Sequence, residues 1–367
     1  MKVVITGATG FIGQALVPVL RARGDEVIAL SRDAARAQAT LGEGVTAVTA
    51  DLEAPGAWTA VLAGAGAVVH LAGEPVAARR WSARQRQVIR DSRDSRVEST
   101  RTIVEAIGAL PAGERPGSLI NASGTDYYPF ADDGPGDDDD EVTPQGFPRA
   151  KGARPRFAAG EHDPTPSVTE DQPPGDSFLA RVCRDWEAEA RAAEALGVRV
   201  VMMRTGLVLG GGGGALAKMT TPFRFFVGGR IGSGRQWLPW IHRDDAAAAY
   251  AAAVHDAEPA GSEQPAGSVR PAGSEQPAGS ARYRGPINLV TDSIRNRDFA
   301  AALGRALGRP SWLPVPGFAV RAAVGELAEY LLHGRRVVPA RLRALGFAWK
   351  HPELGPALEA ALVRDAG

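Results

Sequence analysis

The sequence predicts an α/β chain: a doubly wound parallel sheet with a small, mainly helical C-terminal lobe. Three observations predict it. Short apolar runs alternate with segments of helical period through most of the first 210 residues, which is the pattern of a parallel sheet covered on both faces. The first run leads into a glycine-spaced turn that opens a helix. After position 285 the pattern becomes mostly helical.

The elements follow in order. Val3–Thr6 is the first expected strand, Phe11–Arg23 a helix and Glu26–Leu30 a second strand. Thr46–Thr49 and Ala67–Leu71 are the third and fourth strands. Ser95–Leu110 has helical period, Ser118–Ala122 is apolar and short, and Phe178–Leu196 reads as a long helix before the strand Arg199–Arg204. Beyond the middle, Ile287–Val290 is a strand and Asn296–Leu307 a helix. Gly317–Leu332 is helical, and the last thirty residues read as helix, turn and helix.

Two stretches interrupt the pattern. Residues 130–176 are rich in Pro, Gly and Asp and read as a flexible insertion, with a lid over a site as the alternative. Residues 257–284 contain PAGSEQPAGS twice, at 259–268 and 271–280, and read as a low-complexity loop. The expected organisation is therefore a nucleotide-binding domain over 1–256, that loop, and a C-terminal unit over 285–367. The last unit supplies a sheet-completing strand and a helical substrate lobe.

Composition excludes several classes. The 367 residues carry 42 basic and 42 acidic side chains, so bulk positive charge is not available for nucleic acid. One cysteine, Cys183, forbids an intrachain disulfide and suits a reducing compartment. The six histidines are scattered, and with a single cysteine no metal-site spacing exists, so no metal is expected. The N-terminal run is broken by glycines and lacks a secretory pattern, and no apolar run is long enough for a membrane span. The expectation is a soluble cytoplasmic protein, monomer or homodimer, acting on a small molecule.

The strongest motif is the turn from Thr6 to Gly13, TGATGFIG. Gly7 permits a tight turn, Gly10 a close backbone approach to a pyrophosphate, and Gly13 close helix–sheet packing. The helix start then offers free N–H groups and partial positive charge to phosphates. Thr9, Phe11 and Ile12 supply the backbone between the glycines. The spacing G-x-x-G-x-x-G resembles the extended short-chain dehydrogenase/reductase superfamily, a Rossmann-type fold binding NAD or NADP.

The second strand ends in Ser31-Arg32. A hydroxyl and a guanidinium suit a 2′-phosphate, which favours NADP. Asp33, one or two positions late for the ribose-binding acid, keeps NAD open. By the same superfamily resemblance Asp51 and Leu52 touch adenine. Leu71, Ala72 and Gly73 line the cofactor with small residues or backbone.

Longer segments narrow the resemblance: residues 70–81, 95–101, 178–187, 204–216, 218–224, 228–245 and 335–347. Together they are similar to the atypical "epimerase family" proteins. These combine an NAD-dependent epimerase/dehydratase-like domain with a C-terminal domain of unknown function. The resemblance adds Arg96 and Leu209 as cofactor contacts. DSR is duplicated at 91–96, which lets Arg93 compete for the part of Arg96.

Catalytic residues are harder to assign. Superfamily members use a Tyr with a Lys four residues later, the Lys lowering the phenol pKa. Tyr127, Tyr128, Tyr250, Tyr283 and Tyr330 are followed at that distance by Ala131, Asp132, Val254, Ile287 and Gly334. The remaining catalytic candidates are Ser123 for a substrate carbonyl, Tyr128 for a phenol near the nicotinamide, and His242 as acid or base. Tyr127, Lys218 and Trp240 are the substrate candidates. Two functions follow: an NADP-dependent oxidoreductase or epimerase, or a non-catalytic NADP(H)-binding protein.

Overall fold

The structure is a computed structural model describing residues 1–73, 97–130, 165–256, 282–325 and 328–363. The PAGSEQPAGS repeat, Arg93 and Arg96 lie outside the described residues.

Seven strands form one all-parallel sheet. They are β1 (Lys2–Thr6), β2 (Glu26–Ser31), β3 (Val45–Thr49), β4 (Ala67–His70), β5 (Ser118–Gly124), β6 (Arg199–Thr205) and β9 (Gly285–Leu289), in spatial order β3-β2-β1-β4-β5-β6-β9. The order reverses between β1 and β4, so the crevice for a ligand opens at the C-terminal ends of those strands. Side chains alternate faces along each strand. Val3, Ile5, Val27, Ala29, Val69 and Val201 face one core, and Val4, Ile28, Leu30, Val68 and Val200 face the other. That two-sided burial is why the strands read as continuous apolar runs.

The first core is covered by α1 (Gly13–Ala22), through Leu16, Val17 and Leu20, and by α6 (Arg243–His255). The second is covered by α3 (residues 97–109) and α4 (Phe178–Arg191), with Ile103, Ile107 and Ala190 turned inward. Helix α2 (Ala34–Leu41) follows β2 and buries only Ala37.

A second sheet, β10-β8-β7, joins β7 (Leu207–Leu209), β8 (Trp237–His242) and β10 (Asp292–Arg295). With α5 (Gly214–Arg224), α7 (Asn296–Leu307) and α11 (Leu354–Val363) it encloses a third core around Trp240, Phe299, Leu303 and Leu358. The rest of the C-terminal part is the short helices α8 (Gly317–Val324), α9 (Ala328–Leu332) and α10 (Ala340–Ala344). The sequence partition puts Leu207–His242 with the N-terminal domain. In the structure those residues pack mainly on C-terminal helices, because β8 pairs antiparallel with β10.

Residues 165–176, expected to be flexible, are held in place. Val168 bridges Val337, and its N–H and carbonyl bond Arg336 and Val338 at 2.8 and 3.0 Å. Glu170 is buried. The segment looks solvated by composition, yet long-range backbone bonds fix it. Among the described residues, no helix is long and apolar enough to cross a membrane.

Candidate functional site

The glycine turn sits at the reversal point. Gly7 has φ +68°, and a Cβ there would meet Ala72 N and Leu71 C at 2.8 Å, so the turn abuts the end of β4. A Cβ on Gly13 would stand 2.5 Å from the carbonyl oxygens of Gly7 and Ala8. The Gly10 N–H donates to Gly7 O at 2.9 Å and closes the turn. Ile12 caps α1 without a side-chain hydrogen bond, and the Gln14 and Ala15 N–H groups bond the Gly10 and Ile12 carbonyls at 2.9 and 3.0 Å, so among the described residues the donors left for a ligand are the N–H groups of Phe11, Ile12 and Gly13. This cradle is closed to side chains and rich in N–H groups, which fits a dinucleotide pyrophosphate. Thr9 contributes its carbonyl to Gln14 Nε2 at 2.7 Å.

The β4 end is fixed by a buried relay. The Thr6 hydroxyl lies 2.6 Å from His70 Nδ1 and accepts the Ala72 N–H at 3.2 Å. His70 Nε2 lies 3.4 Å from Ser99 Oγ on α3. The relay holds Leu71 and Ala72 against the turn; Gly73 is exposed beside them.

At the β2 end the structure separates Arg32 from Asp33. Asp33 is the N-cap of α2, its Oδ1 accepting the Arg36 N–H at 2.9 Å. Ser31 Oγ donates to Asp33 O at 3.1 Å and accepts the Asp33 N–H at 3.3 Å. Arg32 is exposed. Asp51 is exposed, accepting the Glu53 N–H at 3.1 Å, and Leu52 packs on the second core. Leu209 is fully buried in the third core and presents no side-chain surface to a cofactor, contrary to the expectation.

The catalytic candidates are held in an ion-pair network that sequence reading missed. Arg204 on β6 and Glu187 on α4 are buried and paired twice, Nε–Oε1 and Nη2–Oε2 both at 2.8 Å. Glu187 also accepts Ser123 Oγ at 2.8 Å and Arg191 Nη2 at 3.1 Å. Burial works to lower the Arg204 pKa, but the hydrogen bonds and charge of Glu187 outweigh it and raise it. Arg204 Nη1 donates to Tyr128 OH at 2.8 Å and to Glu170 O at 3.1 Å. Its guanidinium lies 3.5 Å from the Tyr127 ring centroid. The Tyr128 hydroxyl donates to Asn288 Oδ1 at 2.7 Å. Glu170 Oε1 accepts the N–H groups of Asn288 and Arg341, both at 3.1 Å, which ties the network to the C-terminal part.

These contacts correct three expectations. Tyr128 is 0% exposed, and burial pushes its phenol up to about 12, so it neither reaches a substrate nor exchanges a proton near neutral pH. Ser123 gives its hydroxyl proton to Glu187, so it can accept a hydrogen bond but not polarise a carbonyl. Tyr127 is a stacking partner of Arg204. The motif at 178–187 already contained Glu187; nothing in it named Arg204 as partner.

His242 is the N-cap of α6, its Nδ1 accepting the Asp244 N–H at 3.1 Å. Its ring lies 3.8 Å, centroid to centroid, from that of His351. His242, Asp244 and His351 have potential ligand atoms within 4.8 Å of one another, a proximity that spacing along the chain does not show. Lys350 Nζ stands 3.4 Å from Asp244 Oδ2, and the start of α6 is itself positive, so a cation is opposed there. Asp245 accepts the Lys350 and His351 N–H groups at 2.6 and 3.0 Å; burial raises its pKa against those bonds. The cluster clips the segment before α11 to α6. Trp240 is buried in the third core, and Lys218 is exposed on α5.

Comparison with known proteins agrees with this geometry. Residues 3–152 match the NAD dependent epimerase/dehydratase family, and residues 315–361 match a domain of unknown function, DUF1731. The chain is 35% identical to the epimerase family protein SDR39U1 of Bos taurus, over 99% of this chain and 100% of that one. It is 33% identical to the chloroplastic SDR39U1 homolog of Arabidopsis thaliana, over 99% of this chain and 87% of that one. Among solved structures, the human epimerase family protein SDR39U1 with NADPH shares 32% identity and a TM-score of 0.72, over 98% of this chain and 99% of that one. Fold, glycine turn and C-terminal domain converge, and the chain belongs to the epimerase family of atypical short-chain dehydrogenase/reductases.

Proposed function

We propose that this chain is an NADP(H)-dependent oxidoreductase or epimerase acting on a small molecule. The observation that carries the cofactor choice is the engagement of Asp33. Its carboxylate is the N-cap of α2, which leaves exposed Arg32 as the charged residue at the end of β2. A guanidinium there favours a 2′-phosphate. The relative solved with NADPH supports the same choice. The turn Gly7–Gly13 would hold the pyrophosphate on backbone N–H groups, and Leu71 and Ala72 would line its far side. The cofactor supplies hydride transfer at its nicotinamide. Ser123 is buried and gives its hydroxyl proton to Glu187, so its one remaining role toward a substrate is that of a hydrogen-bond acceptor.

A second reading, a non-catalytic NADP(H)-binding protein, is favoured by one observation. The functional atoms of Ser123 and Tyr128 are both spent on Glu187, Arg204 and Asn288. A single, buried cysteine supports a reducing, cytoplasmic setting. The working unit is a monomer or homodimer without nucleic acid or membrane.

The test is titration with NADPH and NADH. Wild type is expected to prefer NADPH. Arg32→Ala should weaken NADPH about tenfold or more, the worth of a charge-assisted hydrogen bond, and leave NADH nearly unchanged. Asp33→Ala should keep the preference. A wild type that prefers NADH, and loses it in Asp33→Ala, would reverse the assignment. Steady turnover of a carbonyl or sugar-nucleotide panel with NADPH would remove the second reading.

A further inference from the structure

Phe11, in the middle of the glycine turn, is enclosed on two sides. Cβ atoms on Gly210 and Gly214 would stand 3.1 and 2.9 Å from its ring carbons. The Arg243 guanidinium carbon lies 4.9 Å from the ring centroid. Arg243 opens α6, the helix that packs with α1 over the first core. Its Nη1 donates to Gly211 O at 2.9 Å, while its Nε is buried and makes no hydrogen bond. The two acids that follow it are turned elsewhere: Asp244 toward Lys350, and Asp245 to the Lys350 and His351 amides. Among the described residues Arg243 makes no ion pair.

A half-buried cation without a counter-ion, carrying an orphan N–H, is costly unless something completes it. This one stands beside the turn whose N–H groups fit a pyrophosphate. Arg32 lies at the end of a different strand, β2, on the adenosine-ribose side of the crevice. We propose that Arg243 is a second cofactor cation, acting on the pyrophosphate while Arg32 acts on the 2′-phosphate. The proposal rests on the NADP(H) reading above. A guanidinium suits the role because its planar fork offers several donors to phosphate oxygens. The neighbouring glycines follow from the same arrangement, since side chains at 210 or 214 would displace Phe11 from beneath the guanidinium.

Two probes separate the cations. NADPH carries both the pyrophosphate and the 2′-phosphate; adenosine 2′-monophosphate carries only the latter. Arg243→Met keeps the aliphatic packing over Phe11 and removes the charge. It should weaken NADPH about tenfold or more and leave adenosine 2′-monophosphate within about twofold. Arg32→Ala should weaken both ligands. Arg243→Lys should recover part of the NADPH loss. Arg243→Gln repeats the comparison should the Met variant not fold. NADPH binding by both neutral variants within about twofold of wild type overturns the proposal and spares the NADP(H) reading. So does an equal loss of both ligands. A wild type that binds neither probe removes both.

Discussion

Replacing Glu187 with Gln puts the central network to the test. Glu187 and Arg204 are buried, and the guanidinium pairs with the carboxylate through two 2.8 Å bonds. Gln removes the negative charge and turns an amide donor toward an Arg204 N–H. Arg204 is then a buried cation facing a dipole with one mismatched bond. Removing one partner of a buried pair costs about 3–5 kcal/mol. At an m-value of about 3 kcal/mol/M in urea, the unfolding midpoint falls by about 1–2 M. Replacing both partners, Glu187→Leu with Arg204→Met, removes the charge imbalance and should recover at least half of the loss. It will not recover all of it, because Tyr128 OH and Glu170 O also lose a donor. Urea unfolding followed by tryptophan fluorescence reads all three proteins. A Glu187→Gln midpoint within about 0.3 M of wild type would refute the reasoning. A double variant no more stable than the single one would do the same, since the penalty would then not be an unpaired charge.

Gly13→Ala forces a Cβ to within 2.5 Å of two backbone oxygens, so the turn must open. NADPH affinity should fall at least tenfold, read by nucleotide fluorescence, and an unchanged affinity would mean that the turn is not the binding cradle. Tyr128 supplies a pH signature. Its folded pKa of about 12 lies above the ordinary value of 10.0, so the fold favours the neutral phenol. That contribution is whole below pH 10 and is lost as pH rises toward 12, by about 2–3 kcal/mol at most. The stability difference between wild type and Tyr128→Phe should therefore shrink between pH 9 and 11.5; a constant difference would show that the hydroxyl is not buried as described.

The local patterns were enough for the frame. Alternating apolar runs marked the strands of the main sheet. The glycine spacing marked the turn, because no other residue tolerates a backbone oxygen 2.5 Å from a Cβ. Helix α6 left no such trace: its alanine-rich sequence is buried on nearly every side, so it shows no amphipathic period. Helix α2 left little more, with Ala37 alone buried. Asp33 looked like a candidate ribose ligand in the chain, and only the start of α2 revealed it as a cap.

The same limit governed the site. Residue types at 123, 128 and 242 suited catalysis, and the sequence could nominate them. Whether each atom was available depended on partners far along the chain. Tyr128 meets Asn288 160 positions later, Ser123 meets Glu187 64 later, and His242 stacks on His351. Sequence alone determined the parallel sheet, the phosphate-binding turn and the absence of a Tyr-x-x-x-Lys pair, because these depend on residues close together in the chain. Tertiary structure decided which polar groups are spent inside the core and which face the crevice, because burial and hydrogen-bond partnership are set by contacts between distant segments.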